Sequence, residues 1–153
     1  MGEEVAARLD GLLVDPEVLG SAVAALVPSL HTTGDWQDIE LWRQLTRSAL
    51  VSLVRGGQAP LVVPMTVVDD GYLEELLGGL LHERLDVVHF TLVASAETIQ
   101  ARLAARDGAA NQWARDRVDD CVARLAGGRF ARHVEVDDRS AIEAADVILE
   151  SIG

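Results

Sequence analysis

The stretch GLLVDPEVLG, residues 11–20, decides the fold class. Leu12, Leu13 and Val14 form a short apolar run without polar alternation, the pattern of a strand buried on both faces of a parallel sheet. Asp15 then offers a carboxylate to the first free N–H groups of a helix. Pro16 fits the first helical position, where a missing N–H costs nothing. A buried strand passing directly into a capped helix is half of a βαβ unit.

The same grammar recurs along the chain. Leu61-Val62-Val63, bracketed by Pro60 and Pro64, reads as a second strand, and prolines are tolerated at strand ends. Asp69 or Asp70 then caps a helix carrying Leu73, Leu76, Leu77, Leu80 and Leu81. VVHFTLV at 87–93 is the strongest strand, with Ser95 as the cap of the next helix. HVEV at 133–136 is the last strand, and Ser140 caps a final helix.

Between these units a first helix covers Gly2 to Leu9 and stops at Asp10-Gly11. A polar loop spans His31 to Gln37. Asp38 opens a long helix with Ile39, Trp42, Leu45, Ala49 and Leu53 at near-helical spacing, ended by Gly56-Gly57. Charged helices flank a linker of Gly108, Ala109, Ala110 and Asn111. Strands alternating with helices predict an α/β fold, a parallel sheet with helices on both faces, formed as one domain over residues 1–153. Ligands in such sheets sit beyond the carboxyl ends of the strands, which places Asp15, Glu17, Met65, Thr66, Ser95 and Asp137 at a candidate site.

Composition narrows the function. The 153 residues carry 13 basic and 25 acidic side chains, a formal net charge of −12. That field repels phosphate backbones and anionic lipid, so no nucleic-acid partner is expected. All 13 basic residues are Arg, and the chain has no Lys. The lone Cys121 excludes an intrachain disulfide and a multi-cysteine zinc site. His31, His82, His89 and His133 are scattered without ligand spacing, so no metal site is expected from them. The acidic start MGEEVAARLD lacks the regions of a signal peptide, and no apolar run reaches membrane-span length, so a cytoplasmic protein without a transmembrane segment is expected.

GLLVDPEVLG, DWQDIELWRQL, LVVPMTVV, and HFTLVAS followed by RLAAR and NQWA together resemble the tunicamycin-resistance protein family. The similarity runs in order from about Gly11 to the last helix. Those proteins are ATP-binding members of the P-loop NTPase or kinase-like fold, so the resemblance implies ATP and Mg²⁺. The family opens with a strand, the loop G-x-x-x-x-G-K-[ST] and a helix. A chain without Lys cannot hold that loop, so the resemblance implies a chain beginning inside the first helix, with the central first strand missing. The remaining strands are then expected in two groups, 12–14 with 61–63 and 87–93 with 133–136. The unpaired edges imply self-association.

The resemblance also implies roles. Asp15 is the acid at a strand end that contacts an acceptor substrate and suits a general base, although helix capping alone also explains it. Glu17 beside it either binds substrate or complements the helix dipole. Trp36, in a polar loop, suits stacking on a uracil or sugar ring, and Arg43 suits a phosphate, whereas Trp42 falls on the apolar stripe. Met65 and Thr66 end a strand without a Walker B acid. Arg102, Arg106 and Arg117 match a basic lid over a nucleotide, and Asp137 follows the last strand near the adenine. The function implied is protection against a nucleoside antibiotic by ATP-dependent binding or phosphorylation. A non-catalytic module for a nucleotide-like ligand and a small-metabolite kinase stay open as alternatives.

Overall fold

A computed structural model describes residues 1–30, 33–107, 112–130 and 132–152. His31 and the linker at 108–111 lie outside the described residues. The chain forms two compact units, Met1–Val87 and Val88–Gly153.

The first unit contains α1 (Gly2–Arg8), β1 (Leu12–Leu13), α2 (Pro16–Leu26), α3 (Glu40–Arg55), β2 (Leu61–Val62) and α4 (Asp70–His82). Strands β1 and β2 run parallel, Leu12 beside Leu61 and Leu13 beside Val62. Asp10-Gly11 ends α1 as expected: Asp10 takes a left-handed φ of 50°. Its N–H and that of Gly11 reach back to the carbonyls of Ala7 and Ala6, the hydrogen-bond pair of a Schellman stop. Gly57 ends α3 in the same way, at φ 85°, with Gln58 N–H on Leu53 O.

Two small apolar clusters hold this unit. Val23, Ile39 and Trp42 form one, with Leu19 and Trp36 packed against it. Leu50, Val51 and Leu80 form the other, with Val14, Leu61, Val63, Leu85 and Val87 against it. Trp42 is core, as its position on the apolar stripe predicts, and its indole N–H donates to Pro16 O at 2.8 Å.

One buried group in α3 is unsatisfied. Thr46 is 1% exposed, and its Oγ1 has no hydrogen-bond partner among the described residues. Leaving a buried hydroxyl unpaired is a net cost, so Thr46→Val is expected to raise stability by about 1 kcal/mol. The urea unfolding midpoint should rise at unchanged slope; a lower midpoint would show that the hydroxyl is satisfied in solution.

The second unit contains β3 (Thr91–Val93), α5 (Ala96–Asp107), α6 (Gln112–Asp116), α7 (Val118–Leu125), β4 (His133–Glu135) and α8 (Ala141–Glu150). Strands β3 and β4 run parallel, with Thr91 beside His133 and Val93 beside Glu135. Ser140 caps α8 in a complete capping box with Glu143.

The two pairings are those expected from the sequence, and each forms a two-stranded sheet. The architecture is α/β, mostly helical, with small parallel sheets. The strands expected over 12–14, 61–63 and 133–136 are each one residue shorter, and two boundaries differ more. The strand expected over 87–93 is regular only over 91–93, because its start is drawn into the first unit, where Val87 packs on the Leu50 cluster. Asp38 does not open the long helix: Trp36–Asp38 is a 3-10 turn capped by Asp35, and Ile39 is the N-cap of α3. No helix among the described residues is long and apolar enough to cross a membrane.

Candidate functional site

In the first unit the carboxyl ends of β1 and β2 lie side by side, joined past the strands by Val14 N–H on Val62 O at 2.9 Å. This pairing sends Asp15 and Glu17 out from one strand and Met65 and Thr66 out from its neighbour. Asp15 does cap α2: its Oδ1 accepts the Glu17 N–H at 2.9 Å, and Pro16 is the first helical residue. Asp15 and Glu17 are both exposed. Met65 and Thr66 are exposed as well, and the Thr66 hydroxyl has no hydrogen-bond partner among the described residues.

Trp36 packs on α2, the helix that Asp15 caps. Its indole lies directly over Gly20, so closely that a Cβ there would stand 2.5 Å from Trp36 Cδ2. One side of the ring meets the Val23–Ile39–Trp42 cluster, and the residue remains half-buried. A flat apolar ring backed by α2 can stack on a planar or sugar ring, and exposed carboxylates and hydroxyls can take its hydrogen bonds.

Arg43 behaves differently from the ligand contact expected of it. It is 7% exposed. Its Nε donates to Glu75 Oε2 at 2.6 Å, its Nη1 donates to Gln37 O, and its guanidinium carbon lies 3.9 Å from the Tyr72 ring centroid. The helix pair α3–α4 has absorbed the charge.

Sequence reasoning missed the residue at the centre of this arrangement, Gln37, which is 3% exposed. Its amide nitrogen donates to Asp35 Oδ2 at 2.6 Å. Its amide oxygen accepts Val68 N–H at 2.9 Å and Asp69 N–H at 3.4 Å. Asp69 in turn caps α4 through Gly71 and Tyr72 N–H. An Asp two residues before a Gln is a weak signal, and only the tertiary fold brings Val68 to it.

In the second unit a polar clasp closes the carboxyl ends of β3 and β4. The Asp137 carboxylate accepts the Ser95 N–H at 2.9 Å and the Ser95 hydroxyl at 2.6 Å. Ser95 Oγ also meets Thr98, accepting its N–H at 3.2 Å. Arg102 Nη2 donates to the carbonyls of Val136 and Asp137, so one arm of this expected lid residue braces the strand end. Arg106 is exposed one helical turn further along α5. The guanidinium carbon of Arg117 stands 4.9 Å from the Trp113 ring centroid.

The Ser95 hydroxyl, the Thr98 side chain and the Ser95 N–H hold the Asp137 carboxyl at a pKa of about 2, with Arg102 adding a smaller pull. A folded value below the unfolded one stabilises the protein above the unfolded pKa of about 4, and the gain is lost as pH falls toward 2. Thermal scans should therefore show a midpoint that drops between about pH 4 and pH 2 more in the wild type than in Asp137→Asn. Equal drops would show that the clasp persists in the unfolded chain or is screened away.

Burial first, and the neighbouring His133 second, push the His89 imidazole below its usual value. Among the described residues no group of three or more His, Cys, Asp or Glu could hold a metal ion.

No protein-family model matches the chain, and no curated protein sequence matches it. Among solved structures, the tunicamycin resistance protein of Deinococcus radiodurans superposes with a TM-score of 0.83 at 28% identity, over 99% of this chain and 88% of that one. The fold is that of a tunicamycin resistance protein.

The tunicamycin-resistance resemblance also implies ATP and Mg²⁺, and the capped helix starts that follow the strands do not fit a triphosphate. The cradle of a P-loop joins open N–H groups at a helix start to a lysine, and the 153 residues contain no Lys. The helix starts that follow strands are filled from within. Asp15 occupies that of α2 and Asp69 that of α4. Ser95 occupies that of α5, with Asp137 on its N–H, and Ser140 with Glu143 that of α8. Four carboxylates at those seats, Asp15, Asp69, Asp137 and Glu143, meet a phosphate with like charge.

Proposed function

We propose that this chain protects cells against tunicamycin by binding it at the carboxyl ends of β1 and β2. The observation that carries this reading is the superposition on a tunicamycin resistance protein over 99% of the chain. Tunicamycin carries a uracil and sugars, and the exposed groups of the first unit suit both. The Trp36 ring backs a planar or sugar ring. Asp15 and Glu17 accept hydrogen bonds from sugar hydroxyl groups, and the Thr66 hydroxyl both donates and accepts. Met65 supplies an adaptable apolar contact beside them.

Holding the drug, rather than phosphorylating it, is favoured for these residues by the filled helix starts. Asp15 then serves as a hydrogen-bond acceptor. Its Oδ1 is engaged by Glu17 N–H, which leaves the other oxygen for the ligand.

Expression of the 153-residue chain in a tunicamycin-sensitive bacterium is expected to raise the inhibitory drug concentration in proportion to protein level, as a stoichiometric binder does. Calorimetric titration of the purified chain with tunicamycin, without nucleotide, should show saturable binding. Unchanged sensitivity together with no heat of binding would overturn the reading. Recovery of phosphorylated drug after incubation with Mg-ATP would restore the kinase reading in its place.

A further inference from the structure

We infer that Gln37 is the positioning residue of the drug site: its side-chain amide ties the segment bearing Met65 and Thr66 to the turn bearing Trp36. The inference rests on the proposed binding of tunicamycin at this site.

The residues from Pro64 to Asp69 follow β2 without regular secondary structure. Their backbone needs partners from elsewhere, because a buried N–H left unpaired is costly. Val67 and Val68 are buried, and the N–H groups of Val68 and Asp69 both go to Gln37 Oε1. One oxygen thereby sets where the segment leaves the strand, two residues after Thr66. The other end of the same amide donates to Asp35 Oδ2, and Asp35 Oδ1 accepts the Gln37 N–H at 3.2 Å. The amide orientation is forced: turned over, its NH₂ would face two N–H donors and its oxygen a carboxylate.

The arrangement closes on itself. Gln37 O accepts from Arg43, Arg43 pairs with Glu75 and covers Tyr72, and α4, which holds both, is capped by Asp69. Gln37 belongs to the 3-10 turn that starts at Trp36. Rotation of its side chain would therefore release Met65 and Thr66 while leaving the apolar clusters in place. Gln37 is buried and its side chain is taken up by protein partners, which is what separates a positioning residue from a binding one.

The test uses the purified 153-residue chain, tunicamycin as the titrant, and hydrogen exchange read at the Val68 and Asp69 amides. Gln37→Leu should keep its far-ultraviolet dichroism and a cooperative unfolding transition. It should speed exchange at those two amides and weaken drug binding by about tenfold, the size of one lost hydrogen bond. Gln37→Glu keeps the oxygen that faces Val68 but sets a second carboxylate against Asp35. Two carboxylates this close share a proton more readily as pH falls. The charged groups around them are Asp35, Arg43, Asp69 and Glu75. Gln37→Glu should bind weakly at neutral pH and recover on acidification, while the wild type stays flat over the same range; a general loss of packing would not recover.

Unchanged exchange at both amides in Gln37→Leu would overturn the inference, whatever the drug does. Faster exchange with undiminished drug binding would also overturn it, by showing that the segment is not part of the site. If the wild type binds no tunicamycin, the functional reading fails, and the positioning of a drug site fails with it. The exchange data would then still report whether Gln37 pins the segment.

Discussion

Arg43→Ala is expected to cost about 3 kcal/mol of stability, a large share of the roughly 5–15 kcal/mol that holds a domain of this size. The substitution removes the Nε bond to Glu75, the Nη1 bond to Gln37 O and the stacking on Tyr72 at once. Hydrogen bonds made by a charged donor contribute about 1.5–3 kcal/mol each. A cation over an aromatic face adds about 0.5–2 kcal/mol. Against this, the Glu75 side chain is 31% exposed and can take water when its partner is gone, so the full penalty of an orphaned buried charge does not apply. The Gln37 carbonyl is more deeply placed and carries the larger part. Arg43→Met keeps the apolar stem against α4 and should lose less, because a long stem covers surface independently of its charge. Urea unfolding of both variants decides the matter. If Arg43→Ala unfolds like the wild type but binds tunicamycin weakly, Arg43 is a ligand contact, as the sequence alone suggested.

Arg43 shows where reading the sequence reaches its limit. Arg43 and Trp36 looked alike in the sequence, a charged and an aromatic residue flanking the start of a helix. Their fates differ because of partners that are distant in the chain: Tyr72 and Glu75 for Arg43, Gly20 for Trp36. Local chemistry was far more legible. Asp15 with Pro16, Asp69, Ser95 and Ser140 were readable as caps, since a cap is satisfied within three residues of itself. The parallel pairing of β1 with β2 and of β3 with β4 followed from the resemblance, because short apolar runs carry no register of their own.

The buried network around Gln37 was not legible for a further reason. A Gln in a polar stretch normally meets water, and nothing local shows that Val68 N–H will need its oxygen. The Asp137 clasp was half legible. Ser95 was evident as a cap, but a contact across 42 residues of sequence requires the β3–β4 pairing to be known first. The lid assignment of Arg102 met the same limit, since its partners are the backbone carbonyls that this pairing brings within reach.

Gly20 separates folding from function most cleanly. It lies inside α2, where replacing Gly by Ala ordinarily adds about 1 kcal/mol of helix stability. Here the new methyl would stand 2.5 Å from Trp36 Cδ2, 2.8 Å from Cε3 and 2.9 Å from Cε2. Those atoms belong to a rigid fused ring, so the indole must move as a body. Forcing one methyl into a packed contact costs about 1–3 kcal/mol, and the helix gain offsets part of that. The net change in stability for Gly20→Ala is therefore small, within about 2 kcal/mol of the wild type. Drug binding should change much more. A ring displaced by about 1 Å no longer backs the uracil or sugar, and misplacement on that scale can cost about a hundredfold. Gly20→Val, bulkier and β-branched, should lose both stability and binding. Trp36→Ala supplies the control: if the ring is the drug's platform, Gly20→Ala and Trp36→Ala should weaken tunicamycin binding to a similar extent, and the double variant should add little. Full drug affinity in Gly20→Ala, with an unchanged tryptophan emission maximum, would show that the ring yields without moving its outer face and that α2 does not set the platform.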